Sequence, residues 1–368
     1  MAEKIIKPNL RFIKEIIGAG GESLKKCYQC ATCSVKCNLS PDKEPFPRKE
    51  MVNAQWGMKE DLLASPDVWL CHQCGDCTAY CPRGAKPGEV LGAVRKLAIA
   101  HYAPPFFLAK MVGNPKFLPL LALFPVILFL AVLGLTGHLH IPSGEIVFSH
   151  FIPHNIIYWV FYPTVAFSML IFLMSISRFW HDMSKESKET KQGFVKSLIS
   201  IMVEILIHTR FSKCEVNKSR SIAHIATLYG FVTLALTAGL GVIYLYLLKY
   251  DSPYPLTDPL KIMGNSGAAA LVIGIMLVVI NRAKNKEDAG PGTYFDWLLI
   301  GTLSVICLTG ILSELTRLAN IALLAYPIYF IHLSSVFFLF FYAPYSKLAH
   351  MVYRTTALIY AKQTKREE

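Results

Sequence analysis

Eight of the ten cysteines fall in two runs, Cys27, Cys30, Cys33 and Cys37, then Cys71, Cys74, Cys77 and Cys81. Both runs have the spacing C-x2-C-x2-C-x3-C, and the second is followed by Pro82. Three thiolates from one tight loop and a fourth from elsewhere make the donor set of a [4Fe–4S] cluster. In two-cluster ferredoxins the fourth cysteine of each run serves the other cluster. That rule assigns Cys27, Cys30, Cys33 and Cys81 to one cluster, and Cys71, Cys74, Cys77 and Cys37 to the second. Zinc is the competing metal, but its sites usually bring two separated pairs of ligands. The first run departs from the pattern in having Asn38 where proline is usual, with Pro41 following. Cys307, inside an apolar stretch, reads as a packing residue. Cys214, in a basic loop, reads as structural, with a reactive thiol as the alternative.

Histidines supply the second chemistry. His332 and His350 are eighteen residues apart. On one helix that is five turns, so both imidazoles would leave the same face about 27 Å apart, unless Pro344 disturbs the phase. His224 stands at the same depth as His350. An imidazole inside a membrane helix is a functional suspect, the ordinary alternative being a hydrogen bond to a neighbouring helix. Two b-type haems stacked across a bilayer would use this arrangement, His224 and His350 binding the inner one and His332 the outer. Arg220, Arg210 and Lys213 are candidate partners for haem propionates. Glu204 and His208, four residues apart, are candidates for handling quinol protons, a solvated polar face being the alternative.

These residues need two kinds of scaffold. Residues 1–95 are mixed and charged, and the stretch 47–64 reads as helical, which points to a helical ferredoxin domain. From Phe117 the chain shows six apolar segments, near 117–136, 154–178, 222–248, 265–281, 294–316 and 324–345. Each is close to bilayer-spanning length. The fold expected is all-α: a cytoplasmic two-cluster domain (1–95), an interfacial linker (96–116), a six-span haem b domain (117–350) and a cytoplasmic tail (351–368). Residues 193–212 read as an amphipathic helix lying on the membrane surface or packed on the soluble domain.

Composition agrees. Hydrophobic residues make up 53% and charged residues 17%, whereas soluble domains carry about 25% charge. Thirty-seven basic against 25 acidic residues leave +12, but much of the surplus is positional. Segments 178–220, 282–293 and 347–366 hold nine, three and five Lys or Arg, while 137–153, 249–261 and 317–323 hold none, two and one. Positive loops stay inside, so both termini are expected in the cytoplasm of a multi-pass inner-membrane protein, and nucleic acid is not an expected partner. Residues 1–21 show no export signal. A reducing compartment favours metal over disulfides for paired cysteines.

The segments CYQCATCSVKC and WLCHQCGDCTAYCP resemble the small iron–sulfur subunit of heterodisulfide reductase. The segment from His332 to His350, with Arg220 to Phe231, resembles the ligand helices of nitrate-reductase-type cytochrome b. The two joined in this order resemble the membrane component of the quinone-interacting membrane-bound oxidoreductase (Qmo) complexes. That resemblance implies menaquinol as donor, flavin and iron–sulfur sister subunits, and adenylylsulfate reductase as a downstream acceptor. One departure matters: Leu234 stands where the cytochrome family has a second histidine. Among the outer histidines, His154 alone begins a helical run and is the candidate second ligand for the outer haem. His138, His140 or His150, or a single-haem protein, remain alternatives. The expected role is a redox relay from quinol through haem and clusters to a cytoplasmic partner, needing other subunits for a complete enzyme. A membrane subunit for heterodisulfide- or sulfite-linked reduction is a rival, as is a redox-sensing transporter, though inverted repeats are not evident.

Overall fold

The computed structural model describes residues 7–185, 192–215, 219–284 and 292–366. Parts of the N-terminus and of the basic loops lie outside the described residues. Among the described residues all regular structure is helical.

The cysteine-bearing domain begins with α1 (Leu10–Gly18), capped by the Asn9 side chain accepting from the Phe12 N–H. The stretch between the cysteine runs forms α2 (Arg48–Trp56) and α3 (Lys59–Ala64). Gly57 separates them at φ 67°, where a side chain would meet the Asn9 backbone. A one-turn α4 (Asp67–Leu70) leads into the second run, and α5 (Pro87–Tyr102) follows it, with Pro87 in its first turn. A short α6 (Phe106–Val112) then connects to the apolar half.

Six long apolar helices follow: α7 (Leu118–Leu135), α8 (His154–Ser184), α10 (Ser219–Tyr246), α11 (Pro259–Lys284), α12 (Tyr294–Leu318) and α13 (Ala322–Tyr342). Each is long and apolar enough to cross a membrane. Between the second and third of these lies α9 (Phe194–Ile207), the amphipathic segment. Its Ile201 is buried, while Val195, Ile199 and Val203 are exposed. Helices α10 and α11 approach closely through glycines: an added Cβ at Gly274 would lie 2.5 Å from the Thr227 backbone nitrogen, and one at Gly230 would lie 2.5 Å from that of Leu271.

The expected helix from His332 to His350 is interrupted. Helix α13 ends at Tyr342, two 3₁₀ turns cover Ala343–Tyr345 and Lys347–Ala349, and α14 (His350–Gln363) begins at the histidine itself. Pro344 lacks the N–H that would continue the ladder, and its ring crowds the preceding turn. The Tyr345 hydroxyl donates to the Pro104 carbonyl at 2.7 Å, tying the break to the chain between α5 and α6. The five-turn phase relation is therefore lost.

Residues 351–366, expected as a tail, are buried against the cysteine-bearing domain. Tyr353, Ala357, Leu358 and Ala361 of α14 share one core with Trp69 of α4, Leu91 of α5 and Phe179 of α8. Tyr353 stacks on Trp69 with centroids 4.9 Å apart. The buried Arg366 guanidinium pairs with Asp67 and Glu44, so the two halves are joined by apolar packing and a buried ion pair.

Candidate metal and cofactor centres

The two cysteine runs fold alike. Gln29 and Ala31 have φ of 63° and 68°, and the residues at equivalent positions in the second run, Gln73 and Gly75, have φ of 53° and 98°. Left-handed conformation at a non-glycine residue costs about 1–2 kcal/mol. It is repeated here because it curls the first three cysteines of each run around a common centre. A one-turn helix then carries the third cysteine of each run, Cys33 or Cys77.

The fourth cysteines cross over. Cys81 lines one small cavity together with Cys27, Cys30 and Cys33. Cys37 lies near the other run: burial pushes its thiol up to about 12, and the neighbouring Cys71 and Cys74 act in the same direction. Cys77 is raised by burial and then by Cys71 and Cys74, and Cys33 is pushed up to about 11 by burial and then by Cys27. Four thiols around each of two centres fit the donor set of a [4Fe–4S] cluster. Thiols held protonated in the unloaded protein must release protons on loading. Arg95 donates to the carbonyls of Val68 (2.7 Å) and Cys71 (2.9 Å). Arg354 donates to that of Trp69 (2.9 Å) and also to Cys71, and Arg220 donates to Gln73. Three guanidinium groups thus hold the second run, Arg95 from its own domain and Arg220 and Arg354 from the C-terminal half.

Behind that run lies a cavity of about 1110 Å³ lined by His72, His224, His350, Arg220, Lys347 and Arg354, among others. His350 Nδ1 faces the Lys347 carbonyl at 2.6 Å and must donate, leaving Nε2 with a lone pair. His208 Nδ1 faces the Leu206 carbonyl at 3.2 Å, and its Nε2 lies 3.0 Å from His224 Nδ1. With the shared proton on His224 Nδ1, His224 likewise has a bare Nε2. An imidazole whose Nδ1–H is fixed by a neighbour is the form that binds a metal. Burial, then Arg354, holds His350 down to about 3, so it is neutral. His72 is buried with neither ring nitrogen paired. Phe211 lies between His72 and His224, with ring centroids 4.9 and 5.1 Å away.

The structure thus brings His224, His350 and Arg220 to one cavity. His332 sits apart, with Nδ1 donating to the Ile306 carbonyl at 3.0 Å and its ring against Gly310. His154 pairs through Nε2 with Asp251 at 3.1 Å, so the two outer candidates have different neighbours. Glu204 binds Arg210 (2.8 Å) and Lys362 (3.7 Å), while His208 turns to His224. Cys307 packs between α12 and α11, its thiol facing the Ala268 carbonyl at 3.6 Å. Cys214 is buried beside Cys74 and Asp76, the three donor atoms lying within 4.8 Å of one another. Sequence reasoning passed over His72, Arg95 and Arg354. The position of His72 between two cluster cysteines was the available signal.

An all-helical chain with two crossed four-thiol sets docked on six apolar helices defines a class: an iron–sulfur electron-transfer subunit of the multi-pass membrane type. The 4Fe-4S dicluster domain matches residues 23–85. Residues 108–368 match the family described as Citrate utilization protein B, and the chain belongs to that family. Citrate utilization protein B of Escherichia coli is 26% identical over 79% of this chain and 80% of its own length. The protein designated C in the H(2):CoB-CoM heterodisulfide,ferredoxin reductase of Methanothermobacter marburgensis is 33% identical over 27% of this chain and 57% of its own. The iron-sulfur protein designated C 2 in the CoB--CoM heterodisulfide reductase of Methanocaldococcus jannaschii is 35% identical over 26% and 55%. The chain thus spans just over half the length of these two relatives. No solved structure matches.

Proposed function

We propose that this chain is a membrane redox relay that exchanges electrons between menaquinol and a flavin- and iron–sulfur-containing partner through a b-type haem and two [4Fe–4S] clusters. The observation that carries the haem is the pair His224 and His350: they line one cavity, and each has Nδ1 hydrogen-bonded and Nε2 bare. A haem there supplies one-electron storage, and the clusters supply the same on the far side of Arg95 and Arg354. Cys27, Cys30, Cys33 and Cys81 would hold one cluster, and Cys71, Cys74, Cys77 and Cys37 the other. Arg220, Lys347 and Arg354 supply cations suited to propionates. His72, buried and unpaired, stands between Cys71 and the cavity. An outer haem would use His332, whose Nε2 is bare. Its second ligand would be His154, once the bond to Asp251 gives way. A His154→Ala variant that keeps two haems excludes that second ligand.

Orientation follows from charge. Arg220, Arg354 and Arg366 come from the Lys- and Arg-rich segments and all contact the cysteine-bearing domain, which supports placing that domain in the cytoplasm. Two partner sets are open to such a relay. Resemblance to the quinone-interacting oxidoreductases favours adenylylsulfate reductase downstream, as in sulfate respiration. The likeness to Citrate utilization protein B, over 79% of this chain, favours a partner enzyme of citrate metabolism. Anaerobic addition of a menaquinol analogue to the purified protein tests the donor. The relay predicts haem reduction followed by bleaching of the clusters, and an unreduced haem refutes menaquinol as donor.

A further inference from the structure

The loop between α9 and α10 belongs to the membrane half by sequence, yet it is fastened to the second cluster site at each end of a three-residue stretch. Asn38 Nδ2 donates to the Lys213 carbonyl at 3.0 Å and to Glu215 Oε1 at 3.2 Å. The Glu215 backbone N–H donates to Asp76 Oδ2 at 3.1 Å. Asn38 directly follows Cys37, and Asp76 lies between Cys74 and Cys77, so both anchors are neighbours of ligands to one cluster. Between them the buried Cys214 places its Sγ within 4.8 Å of Cys74 Sγ. Proline, usual after the fourth cysteine, has no side-chain donor, so Asn38 makes a contact that the common pattern cannot. Three residues before Cys214, Phe211 rests on His224 and His72. The loop therefore touches the haem cavity and the cluster site together.

We propose that Cys214 is a positioning residue for the second cluster: its thiol donates a hydrogen bond to the Cys74 thiolate and raises the reduction potential of that cluster. This rests on the two-cluster proposal. With Cys74 bound to iron, Cys214 is a fifth thiol left over from a complete set of four. Buried, with its Sγ within 4.8 Å of Cys74 Sγ, the thiol is placed to donate to that sulfur. Reduction adds negative charge to a cluster and its sulfurs, so a donor to sulfur favours the reduced form. Read as a separate metal site, Cys74, Asp76 and Cys214 would compete with the cluster for Cys74, so the trio is not a second site.

The test is an EPR-monitored redox titration of the full-length protein. Cys214→Ala should retain both clusters by iron and sulfide analysis. It should lower the reduction equilibrium of one cluster roughly tenfold, about 59 mV for a one-electron couple, and leave the other unchanged. Cys214→Ser keeps a donor and should recover most of that shift. Asn38→Ala, which releases the loop, should move the same cluster in the same direction. Unchanged midpoints in Cys214→Ala overturn the proposal, and so does loss of a whole cluster, which would make Cys214 a ligand. A wild-type protein with a single cluster would instead refute the two-cluster reading on which the proposal stands.

Discussion

Removing the ring of Tyr353 should loosen the junction between the two halves of this protein. Tyr353 is fully buried, at 0% exposure, and stacks on Trp69 with an interplanar angle of 11°. The Phe179 ring centroid lies 5.6 Å away, so the tyrosine joins α14, α4 and α8 at a single point. Truncating a buried aromatic to alanine costs about 3–5 kcal/mol, which includes the cavity left behind. Every 1.4 kcal/mol is tenfold in an equilibrium, so the opened population should rise on the order of a hundredfold or more. Native-state proteolysis reads that population when reclosing outruns cleavage. In detergent, Tyr353→Ala should therefore be cleaved about a hundredfold faster than wild type. Tyr353→Phe, which keeps the stacked ring, should remain within about tenfold. Equal cleavage rates for the two variants would refute the claim that this ring holds the halves together.

Two further predictions concern ligation and helix packing. Cys81→Ala should alter the EPR signal of the cluster bound by Cys27, Cys30 and Cys33 and spare the other, whereas Cys37→Ala should do the reverse. A variant that perturbs the cluster of its own run would reverse the crossed assignment. Gly274→Ala should lower thermal stability in detergent by about 1–3 kcal/mol, because its Cβ would meet the Thr227 backbone. Gly301→Ala, where an added Cβ meets nothing within 4 Å, should be neutral, and equal losses at both sites would undo the packing argument.

Features that depend on local spacing were legible in the chain. The cysteine runs carry their chemistry within eleven residues each, and the six apolar segments announce themselves by length. Features assembled by tertiary contact were not. His208 meets His224 Nδ1 only because α9 ends in a left-handed residue. The charges of residues 351–366 mask a face that packs on Trp69, so by composition alone the segment resembles a tail. The phase from His332 to His350 fails at one proline, since a helical register carries no information past a broken ladder. Cys214 gives no signal of its own, because its partner lies 140 positions earlier in the sequence. Asn38 does give one, as the residue standing where proline is usual.

The most direct test is the cofactor inventory of the purified full-length protein beside its His224→Ala variant, by visible spectroscopy and non-haem iron analysis. Two four-iron clusters and a b-type haem are expected in the wild type, with one b-type component lost in the variant and the iron–sulfur content kept. Wild-type protein without haem, or an unchanged haem content in His224→Ala, would contradict the account.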